Sequence, residues 1–225
     1  MALEQRSYTR AAEGVGIDAG LRAYMLKVYN YMTTALLLTG LVAFFFGKAS
    51  IVTNDLGQIV GLTGIGNALF NSPLQWIVML APLGLVFYFS FKINTMSLST
   101  AQTTFWVFST LMGLSLASIF IVYTGASIAR VFFISSATFA AMSLYGYTTK
   151  RDLTALGGFL MMGLIGIIIA SIVNIFMKSS IMYFAISIIG VLIFVGLTAY
   201  DTQKIKNMYY AADSETQSGK KAIMG

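Results

Sequence analysis

The chain has 225 residues, with no cysteine, no histidine, two prolines and only 10% charged side chains. Without cysteine there is no disulfide framework, no thiolate nucleophile and no cysteine-ligated metal. Without histidine there is no Ser-His hydrolysis and no histidine-ligated zinc, and the side chain that ordinarily senses pH near neutrality is missing. Soluble domains carry about 25% charged residues, so the polar surface needed to hold 57% apolar side chains in water is not there. A mean hydropathy of +0.80 excludes a soluble globular domain at this length. What the chain does have is long apolar runs, and these define an all-α polytopic membrane protein. The formal net charge is +6. Its basic residues are scattered between the apolar runs instead of forming one patch, so membrane loops account for them and nucleic acid is not a partner.

Residues 1–23 carry Glu4, Arg6, Arg10, Glu13, Asp18 and Arg22, and lack the short apolar run and cleavage site of a signal peptide. They read as a polar N-terminal segment ahead of a transmembrane domain at 24–202. A bilayer core of about 30 Å takes about 20 helical residues. Six segments reach that length: Tyr24–Phe46, Pro73–Phe91, Ala101–Tyr123, Ser127–Tyr147, Thr154–Met177 and Ser180–Thr202. Pro73 suits a first helical turn, and Pro82 should kink the second span. The connections Thr124–Ala126 and Lys178–Ser179 are short enough to make the third and fourth spans, and the fifth and sixth, antiparallel hairpins. Counted by side, eleven of the fourteen basic residues fall with the N-terminus, leaving Lys48, Arg130 and Lys178 opposite. The positive-inside rule then predicts a cytoplasmic N-terminus in the inner (plasma) membrane. Residues 203–225 would be a cytoplasmic loop.

The stretch Gly47–Ser72 is the longest loop and falls on the outer side. Its glycines (Gly57, Gly61, Gly64, Gly66) lack the Gly-Lys-Ser/Thr of a phosphate loop, so it reads as a flexible turn or an interfacial segment. In the fifth span Gly163, Gly166, Ala170 and Asn174 recur at steps of three and four, the spacing of a helix-packing seam. Thr103, Thr104, Ser109 and Thr110 in the third span, and Ser135, Ser136 and Thr138 in the fourth, read as hydroxyls bonding within or between helices.

Asp201 stands apart. It is the only carboxylate in the six spans, at the cytoplasmic end of the last. An ionised acid costs roughly 2.5–3.5 kcal/mol at the centre of a membrane helix and less near an end, so both a functional acid and one that simply reaches water or Lys204 fit its position. Gly190, Phe194, Thr198 and Asp201 share one helical face. Were that face turned into the bundle, partial desolvation would let this carboxyl supply pH sensitivity that no histidine can. Lys92, ending the second span at the same membrane side, is a candidate counter-ion, with a solvated loop lysine as the plainer reading.

The run Gly196-Leu197-Thr198-Ala199-Tyr200-Asp201-Thr202-Gln203-Lys204-Ile205-Lys206 resembles the signature of the Bax inhibitor-1 family, bacterial branch. So do Ser143-Leu144-Tyr145-Gly146-Tyr147-Thr148-Thr149-Lys150-Arg151-Asp152-Leu153 and Met162-Gly163-Leu164-Ile165-Gly166. The resemblance spans about Arg22 to Lys206. It implies a seven-helix protein that leaks calcium in a pH-dependent way, in which two aspartates, one closing the sixth helix and one in the seventh, share a proton. Asp201 matches the first of these as proton sensor, gate and tentative calcium ligand, with Tyr200, Thr202 and Gln203 as the signature around it. No cofactor is implied beyond calcium as permeant ion. Eukaryotic relatives suppress cell death, and a bacterial relative modulates a membrane-bound ATP-dependent protease. That last property gives an alternative: a regulatory protein whose cytoplasmic N-terminal segment carries the activity. An enzyme is not expected, because intramembrane aspartyl proteolysis needs two carboxylates and no Gly-x-Gly-Asp partner is present. A proton-coupled transporter would call for an inverted repeat or broken helix, which the sequence does not show. Ala211–Lys221 reads as a polar loop, and Ala222-Ile223-Met224-Gly225 as the first turn of a further apolar segment. The expectation is therefore a truncated chain, and Asp213, in that loop, cannot stand in for the second aspartate.

Overall fold

A computed structural model describes residues 2–225, with side chains from Ala19 onward. Glu4, Arg6, Arg10, Glu13 and Asp18 thus lie outside the described side chains. The elements are α1 (Ala2–Ala49), β1 (Ile51–Thr53), β2 (Ile59–Leu62), α2 (Gly64–Phe70), α3 (Leu74–Lys92), α4 (Leu98–Leu116), α5 (Ile119–Val122), α6 (Gly125–Thr148), α7 (Thr154–Met177), α8 (Ser180–Asn207) and α9 (Glu215–Met224). Among the described residues six helical stretches are long and apolar enough to cross a membrane: Ala19–Ala49, Leu74–Lys92, Leu98–Val122, Gly125–Thr148, Thr154–Met177 and Ser180–Asn207. They match the six predicted segments in order and closely in length. The apolar side chains do not gather in a core. Phe176, Ile181 and Phe91 are 83%, 81% and 80% exposed, and none of the most apolar stretch of α7 is buried within the chain. Such a surface is stable only where lipid replaces water.

The structure adds detail at four places. The polar lead-in continues into the first span without a break, α1 running from Ala2 to Ala49. The third span stands as one stretch with a turn inside it: α4 closes at Leu116, and the turn through Ala117 and Ser118 starts α5 with bonds from Phe120 N–H to the Ala117 carbonyl and from Ile121 N–H to the Ser118 carbonyl. The stretch at 47–72 is not a flexible turn but an antiparallel β1–β2 hairpin followed by α2, which Thr63 caps by accepting from Gly66 N–H. Ala211–Lys221 is not a loop either. Ser214 and Gln217 form a reciprocal capping box that starts α9, satisfying two N-terminal groups that would otherwise lack partners. Ala222 and Ile223 belong to the last turn of α9 and are buried.

The chain divides into two compact units, Met1–Ala129 with Tyr210–Gly225, and Arg130–Tyr209. In the first, α1 packs along α4. The Thr39 hydroxyl donates to the Ser109 carbonyl at 2.9 Å and the Gln102 amide to the Tyr31 hydroxyl at 2.6 Å. Gly113 faces Val42 so closely that a Cβ would sit 2.6 Å from the Val42 Cβ. Ile223 of α9 joins Ile93 and Ala101 in one buried cluster.

In the second unit α8 is flanked by α6 and α7. Gly146 of α6 abuts the backbone of Ala199, and Gly157 of α7 lies under the Tyr200 ring. Leu160, Ile193 and Leu197 form the buried α7–α8 cluster, with Gly196 leaving room for Leu160. The predicted seam holds at Gly163, which meets Ile193, but not at Gly166, which has nothing within 4 Å. Asn174 does not pack in the seam: its side-chain carbonyl accepts from Ser179 N–H at 3.0 Å and closes the α7–α8 turn, where Lys178 takes φ 51°. Most of the noted hydroxyls serve their own helix. Thr103, Thr104, Ser109, Thr110 and Thr138 each donate to the carbonyl four residues back, while Ser135 and Ser136 are exposed.

Gly146 and Gly166 make opposite predictions. A Cβ at Gly146 would run into backbone, which cannot rotate aside, so Gly146→Ala should destabilise by about 1–3 kcal/mol. Gly166→Ala has free space and should be neutral or stabilising by up to about 1 kcal/mol through helix propensity. Thermal unfolding in mild detergent, followed by helical circular dichroism, checks both; equal shifts would contradict the packing described.

Candidate functional site at the end of α8

The last two turns of α8 carry Tyr200, Asp201, Thr202 and Gln203, and helical geometry sends these four side chains in four directions. Three are committed to neighbours. The Tyr200 ring covers Gly157 of α7. Thr202 is buried; its hydroxyl donates to the Thr198 carbonyl at 2.9 Å and lies 3.1 Å from the Ser143 hydroxyl of α6, with which it shares a hydrogen bond. Gln203 spans the α6–α7 connection: its amide nitrogen donates to the Arg151 carbonyl and its amide oxygen accepts from Leu153 N–H, both at 2.8 Å. One turn on, the Lys206 ammonium donates to the Tyr147 carbonyl at 2.8 Å and lies 5.2 Å from the Tyr147 ring centroid. The last carbonyls of a helix have no intrahelical partner, and Lys206 supplies one for α6.

Asp201 is the fourth. It is exposed, and its carboxylate makes no hydrogen bond or ion pair among the described residues. On the face shared by Gly190, Phe194, Thr198 and Asp201, Phe194 is 59% exposed, Thr198 is half-buried and Gly190 lies toward Ile167 of α7. Lys204 is nearby on α8 and also exposed. Lys92 is the last residue of α3, in the first unit, and exposed. Among the described residues no three His, Cys, Asp or Glu side chains converge as a metal-holding group.

Asp152 has a role that the motif reading did not assign. One carboxylate oxygen accepts from the Thr154 hydroxyl at 2.6 Å and from Thr154 N–H at 2.9 Å. The hydroxyl bond first, then the backbone bond, hold this carboxyl below its ordinary range, with a small opposing desolvation. The pattern Asp-x-Thr before an apolar run is a helix-start signal that could have identified it. The signature thus ties the ends of three helices together and leaves one acid outside the ties.

A family model described as inhibitor of apoptosis-promoting Bax1 matches residues 21–225. The chain is 49% identical to an uncharacterized protein of Rickettsia prowazekii, over 97% of this chain and 87% of that one. It is 46% identical to the inner membrane protein YbhL of Escherichia coli K12, over 92% and 84% of the two chains. With an uncharacterized protein of Caulobacter vibrioides it shares 42% identity over 95% and 85%. No solved structure gives a significant match.

Replacing Gln203 by Leu keeps the side-chain bulk but removes both bonds to the connection, leaving the N–H of buried Leu153 unsatisfied at a cost of about 1–3 kcal/mol. The connection should then open more often, and trypsin should cleave after Lys150 and Arg151 several-fold faster in Gln203→Leu than in the parent. Unchanged cleavage would show that the connection is held without Gln203.

Proposed function

The chain belongs to the Bax inhibitor-1 family of membrane proteins, and on that basis we propose that it is a pH-sensitive calcium leak channel, or a regulator of membrane cation permeability, gated by protonation of Asp201. The observation that carries this reading is that this side chain is not spent on holding helices together. Of the four consecutive signature residues, three are spent on holding α8 against α6 and α7, and only Asp201 is left unpaired and uncovered. An acid kept at the end of an apolar helix without a structural partner is a functional candidate by default.

The chemistry fits passage better than storage. Calcium takes six to eight oxygen ligands in stable sites, and a single carboxylate offers two. Asp201 can therefore draw a cation weakly and release it, which conduction requires. Protonation removes the charge and with it the attraction, and a change of one charge can bias two packings of helices that lie close in energy. The resemblance implies a second aspartate from a further helix, and the exposure of Asp201 leaves it free to meet such a carboxylate. The two would then titrate as a pair.

We place the Asp201 end of this unit in the cytoplasm of a cell bounded by an inner membrane. The support is local as well as global. The bonds from Gln203 and Lys206 bring Lys150, Arg151, Lys204 and Lys206 to the end that holds Asp201, while Arg130 and Lys178 fall at the other end of these helices. That asymmetry follows the positive-inside rule. No catalytic role is assigned.

The test is calcium flux into proteoliposomes between pH 5 and pH 8. Flux should vary with pH in the parent, by no more than about tenfold per pH unit if a single proton is exchanged. In Asp201→Asn the profile should be flat. A pH-dependent flux that survives Asp201→Asn would remove Asp201 as the sensor. Absence of flux at every pH would end the leak reading and favour a regulatory protein acting through residues 1–20 on a membrane-bound protease.

A further inference from the structure

The segment between α1 and α3 is anchored, apolar and almost uncharged. Its base is fastened to the last turn of α1. Thr63 N–H donates to the Ser50 carbonyl at 3.0 Å, and the Thr63 hydroxyl to the Ala49 carbonyl at 2.7 Å. Ser50 is fully buried, its hydroxyl donating to the Phe46 carbonyl at 2.6 Å. Gly66 of α2 sits so close to the Ser50 carbonyl that no Cβ would fit. The hairpin therefore starts at the level where the first span ends, and α2 returns the chain to α3 within four residues.

The tip of that hairpin is not built for water. Leu56 is 82% and Val60 62% exposed, and Val52, Ile59 and Ile65 are exposed as well. Between Ala49 and Phe91 the only charged residue is Asp55. The turn satisfies its own backbone: the Asn54 side-chain oxygen accepts from Leu56 and Gln58 N–H, and Gly57, at φ 73°, donates to the Asn54 carbonyl. Internal satisfaction of this kind is what a backbone needs before it can leave bulk water.

Two neighbours mark the membrane boundary at this end. Trp76 lies in the first turn of α3 and is exposed, and tryptophan concentrates at the headgroup level. Lys48, ending α1, folds its ammonium to 4.6 Å from the Phe44 ring centroid, the posture of a lysine whose stem lies along apolar surface. The spans that flank the hairpin also expose apolar side chains near these ends, Phe45 in α1 and Ile77 in α3. We propose that the β1–β2 hairpin is an interfacial anchor, with Leu56 and Val60 seated at the headgroup–acyl boundary of the leaflet in which α1 ends. The occupant of this surface is lipid, because the flanking spans also expose apolar side chains at these ends and the hairpin offers almost no charge for a soluble partner to read.

The absence of cysteine makes the test direct. Leu56→Cys and Val60→Cys are spin-labelled in the protein reconstituted into phosphatidylcholine–phosphatidylglycerol vesicles. Collisions with oxygen, which concentrates in the acyl region, are compared with those of a water-soluble nickel chelate. Leu83→Cys, mid-span and exposed, gives the lipid reference, and exposed Glu215→Cys the aqueous one. The oxygen-to-nickel ratio at positions 56 and 60 should exceed the aqueous reference several-fold and fall short of the lipid one. A ratio equal to that of Glu215→Cys would put the tip in water and overturn the anchor. Suppression of both collisions, relieved by dilution into excess lipid, would show a second copy covering the hairpin and would equally overturn it.

Discussion

In hydrocarbon, helices gain nothing from hiding apolar side chains from one another, because lipid is as apolar as they are. What remains is close contact between backbones and the hydrogen bonds that cross between them. The whole structure depends on a few places where a glycine allows that approach. Gly113 admits Val42 between α1 and α4, Gly146 admits the Ala199 backbone between α6 and α8, and Gly157 lies under Tyr200 between α7 and α8. The cross-helix bonds sit beside these contacts: Thr39 to the Ser109 carbonyl near the first, and Ser143 to Thr202 near the second. Buried polar groups are tolerated there because each has a partner.

The same constraint explains how the signature at the end of α8 divides its labour. Once Ala199 is pressed against Gly146 and Tyr200 against Gly157, the rotation of α8 is set, and every later residue in the turn has its direction assigned. Thr202 then points at α6 and Gln203 at the α6–α7 connection. Asp201 is what this rotation leaves over. Its exposure follows from the packing of its neighbours, so the motif is best read as a frame of three residues that presents a fourth.

Much of this was legible in the sequence, and the misses have physical causes. Length and apolar content were enough to place six spans, because the bilayer sets both. Helix rotation was not legible. With α7 apolar on every side, nothing distinguishes the face of Gly163 from that of Gly166, and only the packed partner shows that one meets Ile193 and the other meets nothing. The hairpin and α9 were missed for another reason. Glycine-rich and polar composition suggested loops, although Asn54 to Gln58 between two β-branched runs is a turn signal and Ser214-x-x-Gln217 is a capping box. In both places local hydrogen-bond chemistry outweighed composition. The burial of Asp201 could not be settled from spacing, since the stripe it ends is mixed: Gly190 lies toward Ile167 of α7 while Phe194 and Asp201 are exposed.

The packing around Asp201 limits how it could act. Its neighbours Thr202 and Gln203 hold α8 to two other helices, so the end of α8 is braced and cannot itself be the moving part without breaking those bonds. In the proposed gating role, a change of charge at Asp201 would act on a group other than the braced end of α8. A braced acid facing a movable partner is a better gate than a mobile acid, because the free energy of protonation goes into the partner's position instead of being dissipated in local rearrangement. The connection held by Gln203 and the carbonyl held by Lys206 are, on this view, the backing against which the switch works. Loosening them should blunt gating even though neither side chain need touch the ion.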